Sequence, residues 1–428
     1  MIDRPAKQAI QIFQVARFAA LLGASILLSK SGLDTHDIGR YETLMLIAGT
    51  FSFFWINGTT HTFLSQYKRT NDPAASIATL FNAVLVLSVL LVLVFIVGKS
   101  ALSQAYHMPL EHDLFICFLI YFAANNISFL TDYILLAQEK GKGLIQLSIF
   151  QFLLQIAAIS IPAFMTHDLT WVLIGATTFV LIKALISLQL VFGLHKWHFN
   201  AVALKLFLRS AAPLILSFFL GGISIYVDGI IITNYFDKAT FAVYQYGARE
   251  FPLSLLLANA FSAAMVSHIS GAPTDVHEVK RGSLTLIKRL FPVVIVLMAI
   301  SYWIYPIVYN PQFGESFLFF NIYLLLLISR LVFPHAILLG SGHSSAIMRA
   351  AIAEFFINIA VSLWLLQWIG ISGVAYGTVV AHISNKAILM YQLHKKGVSP
   401  QQYIPIRELS IYSILLIGVF VTFTYLIH

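Results

Sequence analysis

Nine ionisable side chains fall inside apolar stretches of this chain: the bases Arg17, Lys183, Arg249, Arg330 and Lys386, and the acids Asp132, Asp228, Glu250 and Glu354. A charge held in hydrocarbon needs a partner or a wet cavity, so such residues mark binding sites, ion paths or buried pairs. Their types suit anion handling rather than bond-making. Guanidinium and ammonium groups offset the desolvation of a phosphate. An embedded enzyme would instead need paired carboxylates or a histidine-based set near one interface, and no such set stands out, so no catalytic residue is assigned. His61, beside Asn57, Thr59 and Thr60, adds a group that titrates near neutral pH. His61, Asp228 and Glu354 are therefore the residues through which a proton or sodium gradient could be coupled. No metal centre or cofactor is expected: Cys117 is the only cysteine, and no phosphate-binding Gly-rich loop ending in Lys-Ser or Lys-Thr occurs.

The elements that must position these groups follow from composition. Hydrophobic residues make up 59% of the 428 and charged ones 10%, against about 25% charged in soluble domains. Runs of about 20 apolar residues span a hydrocarbon layer as helices. Thirteen are placed near residues 9–29, 42–66, 77–98, 113–137, 143–165, 170–193, 211–236, 240–267, 284–308, 314–340, 346–368, 371–394 and 409–427. The expected class is an all-α polytopic membrane protein. The connecting loops are too short for a domain of their own, the longest lying around 195–210 and 268–283. The first run lacks a small-residue cleavage site and reads as a retained helix.

Charge sets the orientation. Between the runs, seventeen Lys and Arg residues fall on one side and only Lys30, Arg40, Lys99 and Lys238 on the other. The bias predicts a cytoplasmic N-terminus, and an odd thirteenth span puts His428 outside. The net charge of +8 is then accounted for by topology and contact with anionic lipid, and nucleic acid is not a partner. Counting along the helices places Arg17, Arg330, Glu354 and Lys386 roughly 12–15 Å above the cytoplasmic boundary, with Asp228 and Arg249 in the outer half.

A duplication organises the spans. Lys183–Leu190 (KALISLQL) recurs as Lys386–Leu393 (KAILMYQL), offset by 203 residues, and Gln151 and Gln155 correspond to Glu354 and Asn358. Six pairs of span starts share an offset near 200, so residues 1–198 and 199–396 read as two six-helix lobes in a parallel repeat facing a cleft. Residues 397–428 read as an additional thirteenth transmembrane helix. Polar stripes occur at helical spacing: Gln11, Gln14 and Arg17; Asn125, Ser128 and Asp132; Glu354, Asn358 and Ser362; Thr378, His382 and Lys386. Each must face protein or water, and interhelical seam and cavity wall are equally open readings. Pro213, Pro252 and Pro334 lie within spans as candidate hinges. Tyr235, Tyr244 and Tyr246 suggest an interfacial aromatic belt. Lys183 and Lys386, on the repeated segments, read best as partners for acids within their own lobes.

The stretch Glu354–Asn358 (EFFIN) followed by Gly370, Gly373, Gly377 and Thr378 resembles the signature of the eleventh and twelfth helices in the multidrug/oligosaccharidyl-lipid/polysaccharide exporter superfamily. Pro213 and Leu214, then Asp228, Tyr244 and Arg249, are similar to its polysaccharide-flippase branch, as is Asp37–Tyr41 (DIGRY). The resemblance implies transport without enzymatic chemistry. The cargo it implies is an undecaprenyl-diphosphate-linked oligosaccharide, moved across the bacterial inner membrane by alternating access for O-antigen, capsule or related polysaccharide. Its implied partners are that lipid-linked substrate, membrane lipids and polysaccharide polymerase or assembly proteins. It singles out Arg17, His61, Asp228 and Arg249 as lining the central cavity. Arg330 and Lys386 join Arg17, Asp228 and Arg249 as substrate-binding candidates on charge. A multidrug antiporter of the same superfamily is the first alternative and would favour an acidic cavity. A membrane-embedded glycosyl or acyl transferase is the second.

Overall fold

The computed structural model describes residues 4–67, 70–193, 199–271 and 276–426. The basic loop positions Lys68, Arg69 and Lys196 and the terminal His428 lie outside these residues, as do the side chains of Arg4, Lys7, Gln11 and Gln14. The chain is all-α. In order it forms α1 (Arg4–Lys30), α2 (Thr35–Tyr67), α3 (Pro73–Val97), α4 (Lys99–Ala105), α5 (His112–Ala137), α6 (Gly141–Thr166), α7 (Leu169–Phe192), α8 (Ala201–Gly222), α9 (Ser224–Tyr235) and α10 (Lys238–Gly247). There follow α11 (Pro252–Gly271), α12 (His277–Val308), α13 (Ser316–Leu324), α14 (Leu326–Arg330), α15 (Pro334–Gly340), α16 (Ser344–Ile369), α17 (Ser372–His394), α18 (Pro400–Tyr403) and α19 (Ile406–Val421).

Among the described residues, nine helices are long and apolar enough to cross a membrane, or ten if the bent pair 316–330 and 334–340 is one span. The sequence suggested thirteen continuous spans, and three of them are broken. The run at 211–236 divides between α8 and α9, and that at 240–267 between α10 and α11. The run at 314–340 divides among α13, α14 and α15, with a 46° bend before Pro334. Proline explains the last two breaks, since Pro252 and Pro334 each open a helix and disfavour helical geometry in the preceding residue. Outward faces are apolar, as lipid requires: Leu90, Leu93, Val94 and Val97 of α3 are all exposed.

Helix starts also moved relative to the sequence reading. The expected loop at 195–210 contains the first turns of α8, because Asn200 accepts hydrogen bonds from Val202 N at 3.1 Å and Ala203 N at 3.0 Å and so caps the helix. Lys205 and Arg209 then share its exposed side, while Leu204, Phe207 and Ala211 are buried. Asp72 caps α3 in the same way through Ala75 N, and Asp168 caps α7 through Thr170 N.

Two compact units result, one of the described residues in Met1–Ile223 and Thr233–Ala242, the other of those in Ser224–Ile232 and Val243–His428. In the first, α5 packs on α7 and α3, α1 on α6, and α2 on α8. The sequence reading put α8 in the second lobe, beyond a boundary at 198. Gly58 explains its place in the first: α2 and α8 approach so closely there that a Cβ would strike Ile215. A core of buried rings fills this unit, with Phe95 edge-on to Phe122 at 4.9 Å.

In the second unit, α16 pairs with α17, α11 with α15 and α12 with α19. Residues 397–426 include a further helix long and apolar enough to cross a membrane, Ile406–Thr424, and it packs on α12. Ser301 of α12 donates to Asn321 Oδ1 at 2.9 Å, and Asn321 donates on to Thr424 at 3.2 Å.

Candidate functional site

In the first unit, α5 and α7 bury a pair of opposite charges. Lys183 Nζ lies 2.7 Å from Asp132 Oδ2, and Gln151 Nε2 donates to Asp132 Oδ1 at 3.2 Å. Lys183 is thus a partner for an acid of its own unit, and the acid is Asp132. Phe129, one turn before Asp132, carries two cations: Lys183 Nζ lies 5.6 Å from its ring centroid and the Arg17 guanidinium 5.3 Å. Such contacts hold a guanidinium without neutralising it.

Arg17 is exposed on α1, and among the described residues no carboxylate lies within ion-pair distance of it. His61 is exposed on α2, its ring 4.9 Å from Phe218 and 6.3 Å from Tyr133. Tyr133 is electrostatically coupled to Arg17, so Arg17 and His61 belong to one neighbourhood. The other polar residues of that stretch of α2 are satisfied locally. Thr59, Thr60 and Asn57 donate to carbonyls one turn back, the usual way a transmembrane helix accommodates them.

The second unit buries Asp228 of α9 in a ring of hydroxyls. Tyr244 donates to Oδ2 at 2.9 Å and Tyr323 at 2.5 Å, while Thr378 Oγ1 sits 2.7 Å from both carboxylate oxygens. Asn358 Oδ1 is 3.4 Å from Thr378 and accepts from Ser362 at 2.9 Å. Asp228 is buried, at 5% exposure. Carboxylate, amide and hydroxyl oxygens together suit a proton or a small hard cation. Gly377 makes this arrangement feasible, because α17 runs against α16 where a Cβ would collide with Ser362.

Arg249 follows the end of α10, half-buried, with its guanidinium 5.0 Å from the Tyr246 ring centroid and Nε donating to Gln245 O at 3.2 Å. Tyr246 is itself stacked on Phe313 at 4.7 Å. The expected aromatic belt is therefore corrected: Tyr235 is exposed, but Tyr244 and Tyr246 are fully buried as the supports of Asp228 and Arg249. An alternating hydrophobic pattern does not distinguish a tyrosine at an interface from one whose hydroxyl finds a buried acceptor.

The remaining expected residues form a third group. Arg330 pairs with Glu250, and Lys386 lies in electrostatic reach of Arg330, Glu354 and Glu250. Ser329 and His382 Nδ1 are 2.7 Å apart. The stripe Thr378, His382 and Lys386 thus faces protein along its length, and Arg330 engages an internal acid. Tyr323, absent from the sequence reading, had a readable sign: it lies seven residues before Arg330 and so shares its helical face. Glu250, one of the nine membrane-embedded charges, lies two residues before the proline that opens α11.

Residues 33–318 match the family described as "Polysaccharide biosynthesis protein". No curated protein matches the chain in sequence. Among solved structures, one titled "Lipid II flippase MurJ, inward closed conformation" is similar with a TM-score of 0.71 at 17% identity, over 96% of this chain and 91% of that one. An inward-facing multidrug resistance MATE family transporter of the MOP superfamily gives 0.66 at 12% identity, over 91% and 98%. An outward-facing multidrug resistance MATE family transporter of the MOP superfamily gives 0.56 at 14%, over 92% and 96%. The architecture is that of these multi-pass membrane transporters.

Proposed function

Because the chain belongs to the polysaccharide biosynthesis protein family, we propose that it is a flippase for undecaprenyl-diphosphate-linked oligosaccharide units. It moves them by alternating access across the bacterial inner membrane, with its N-terminus cytoplasmic, for O-antigen, capsule or related polysaccharide. The observation that carries the reading is Arg17: an exposed guanidinium inside an apolar helix, held against Phe129 and, among the described residues, matched by no carboxylate. An anionic headgroup supplies the charge that such a group lacks. Arg249, braced on Tyr246, is the corresponding contact in the second unit.

Transport needs no bond-making chemistry, and the polyprenyl tail stays in lipid throughout. Asp228 is the coupling group, since it is buried among neutral donors and a proton or monovalent cation would neutralise it. The structural likeness to a protein named as a lipid II flippase supports a lipid-linked cargo. Deleting the chain should trap complete, unpolymerised lipid-linked units in the cytoplasmic leaflet. Arg17→Ala and Arg249→Ala, expressed normally, should cut surface polysaccharide at least about tenfold, the scale of one lost charged hydrogen bond. Full surface polysaccharide in both variants would refute a role for these guanidiniums in holding the cargo.

A further inference from the structure

Glu250 and Arg330 pair across two helix breaks. Glu250 lies in the unwound residues 248–251 between α10 and α11, and Arg330 ends α14 just before the 46° bend into α15. Pro252 and Pro334 follow directly. Both charges therefore sit where the backbone has no continuous helical ladder and can pivot. The two residues lie 80 positions apart in sequence.

The pair lines a small cavity together with hydroxyl groups and apolar side chains. Ser254 and Tyr323 line the same cavity as Glu250 and Arg330, and Arg330 Nε is buried without a partner. Lys386 adds a second cation within electrostatic reach, Arg249 directly precedes Glu250, and Glu354, His382 and His335 are further ionisable neighbours. The cavity's volume is about 10 Å³, the lower limit for one ordered water at roughly 10–15 Å³. While the pair is closed, the Glu250 carboxylate is the only anion that fits.

We propose that Glu250 is an internal stand-in for a diphosphate: the cargo's anionic headgroup displaces it from Arg330, and the parting of the pair frees both breaks to move. A diphosphate carries more charge than a carboxylate and offers several oxygens, so it can use Nε, the terminal nitrogens of Arg330 and the Lys386 ammonium together. Glu250 then sets a threshold. Weaker anions fail to open the pair, which makes it a specificity-determining residue rather than a cargo ligand. The identity of the cargo rests on the flippase reading, whereas the competition between anions does not.

The test is calorimetric titration of the full chain in lipid nanodiscs with inorganic pyrophosphate and, separately, undecaprenyl diphosphate. Glu250→Gln should bind pyrophosphate about tenfold more tightly than the wild type, the scale of one charged hydrogen bond. That gain should vanish in Glu250→Gln/Arg330→Gln, and Glu250→Asp should stay close to wild type. No gain in Glu250→Gln, or a gain that survives loss of Arg330, overturns the competition. Tighter binding of the lipid than of pyrophosphate supports the lipid headgroup as the displacing anion, and equal or weaker binding overturns that assignment. Amide exchange in residues 248–251 and 331–333 should rise together in Glu250→Gln; unchanged exchange overturns the link to the breaks. A wild type that does not flip lipid-linked sugar would defeat the flippase reading while leaving these affinities interpretable.

Discussion

Lys183 of α7 and Asp132 of α5 form a buried ion pair at 2.7 Å, with Gln151 of α6 as the carboxylate's second donor. Three consecutive helices of the first unit thus meet at one carboxylate. Breaking such a pair by removing one partner leaves an uncompensated charge and costs about 3–5 kcal/mol, whereas replacing both is nearly neutral. Lys183→Met or Asp132→Asn should therefore lower the thermal midpoint of the detergent-purified protein sharply. The double variant should recover most of the loss. A double variant as unstable as the worse single one would show that the charges are not each other's main partners.

This pair also shows how far the sequence could be read. Lys183 was visible as one half of a repeated segment, and its role as a partner within its own lobe followed from the cost of burying an ammonium. The identity of Asp132 did not, because helical spacing fixes which face a residue occupies and says nothing of which helix that face meets. The same limit explains Asp228: its position on a span was legible, but Tyr323 and Thr378 lie 95 and 150 residues away in sequence. The breaks at 248–251 and 331–333 were marked by Pro252 and Pro334, yet read as bends inside spans. Hydropathy does not register that a short unwound stretch is tolerable where it is lined by protein.

Gly377 supports a packing prediction. Its Cα hydrogen faces the Ser362 side chain and backbone at a separation with no room for Cβ, so Gly377→Ala must push α17 from α16. Overpacking of this kind costs about 1–3 kcal/mol. Because the shift would also pull Thr378 from Asp228, the variant should lose transport beyond what its thermal midpoint explains. Wild-type transport in Gly377→Ala would show that the α16–α17 spacing is not what holds Thr378 in place.

Asp237 sits in the turn between α9 and α10, outside the spans, and caps α10 by accepting from Thr240 N at 2.8 Å. That backbone hydrogen bond, reinforced by the Thr240 hydroxyl, holds its carboxyl below the ordinary value of 3.8. A depressed carboxyl contributes stability that is present above its unfolded value and lost as pH falls through the folded one. Amide exchange in α10 should thus be flat from neutral pH down to the ordinary carboxylate range and rise only below it, after correction for intrinsic rates. Asp237→Asn should remove the pH dependence while keeping the cap, and Asp237→Ala should weaken the helix start by about 1 kcal/mol. Identical exchange in all three proteins would mean that the cap does not hold α10.

Tyr323 and Asp228 give the sharpest test of ion coupling. The Tyr323 hydroxyl donates to the carboxylate at 2.5 Å, and so competes with any proton or cation that would neutralise it. Removing that donor withdraws a hydrogen bond to a charged group, about 1.5–3 kcal/mol. Tyr323→Phe should then lower the half-saturating concentration of the coupling ion by about tenfold or more. Asp228→Asn, which has no charge to neutralise, should abolish the ion dependence altogether. Transport by proteoliposomes, measured across sodium concentrations at fixed pH and across pH at fixed sodium, identifies which ion responds. If Asp228→Asn kept the wild-type dependence on both, the coupling group would lie elsewhere, with His61 and Glu354 as the next residues to replace. If Tyr323→Phe instead required more of the ion, its hydroxyl would be helping to hold the ion rather than competing with it.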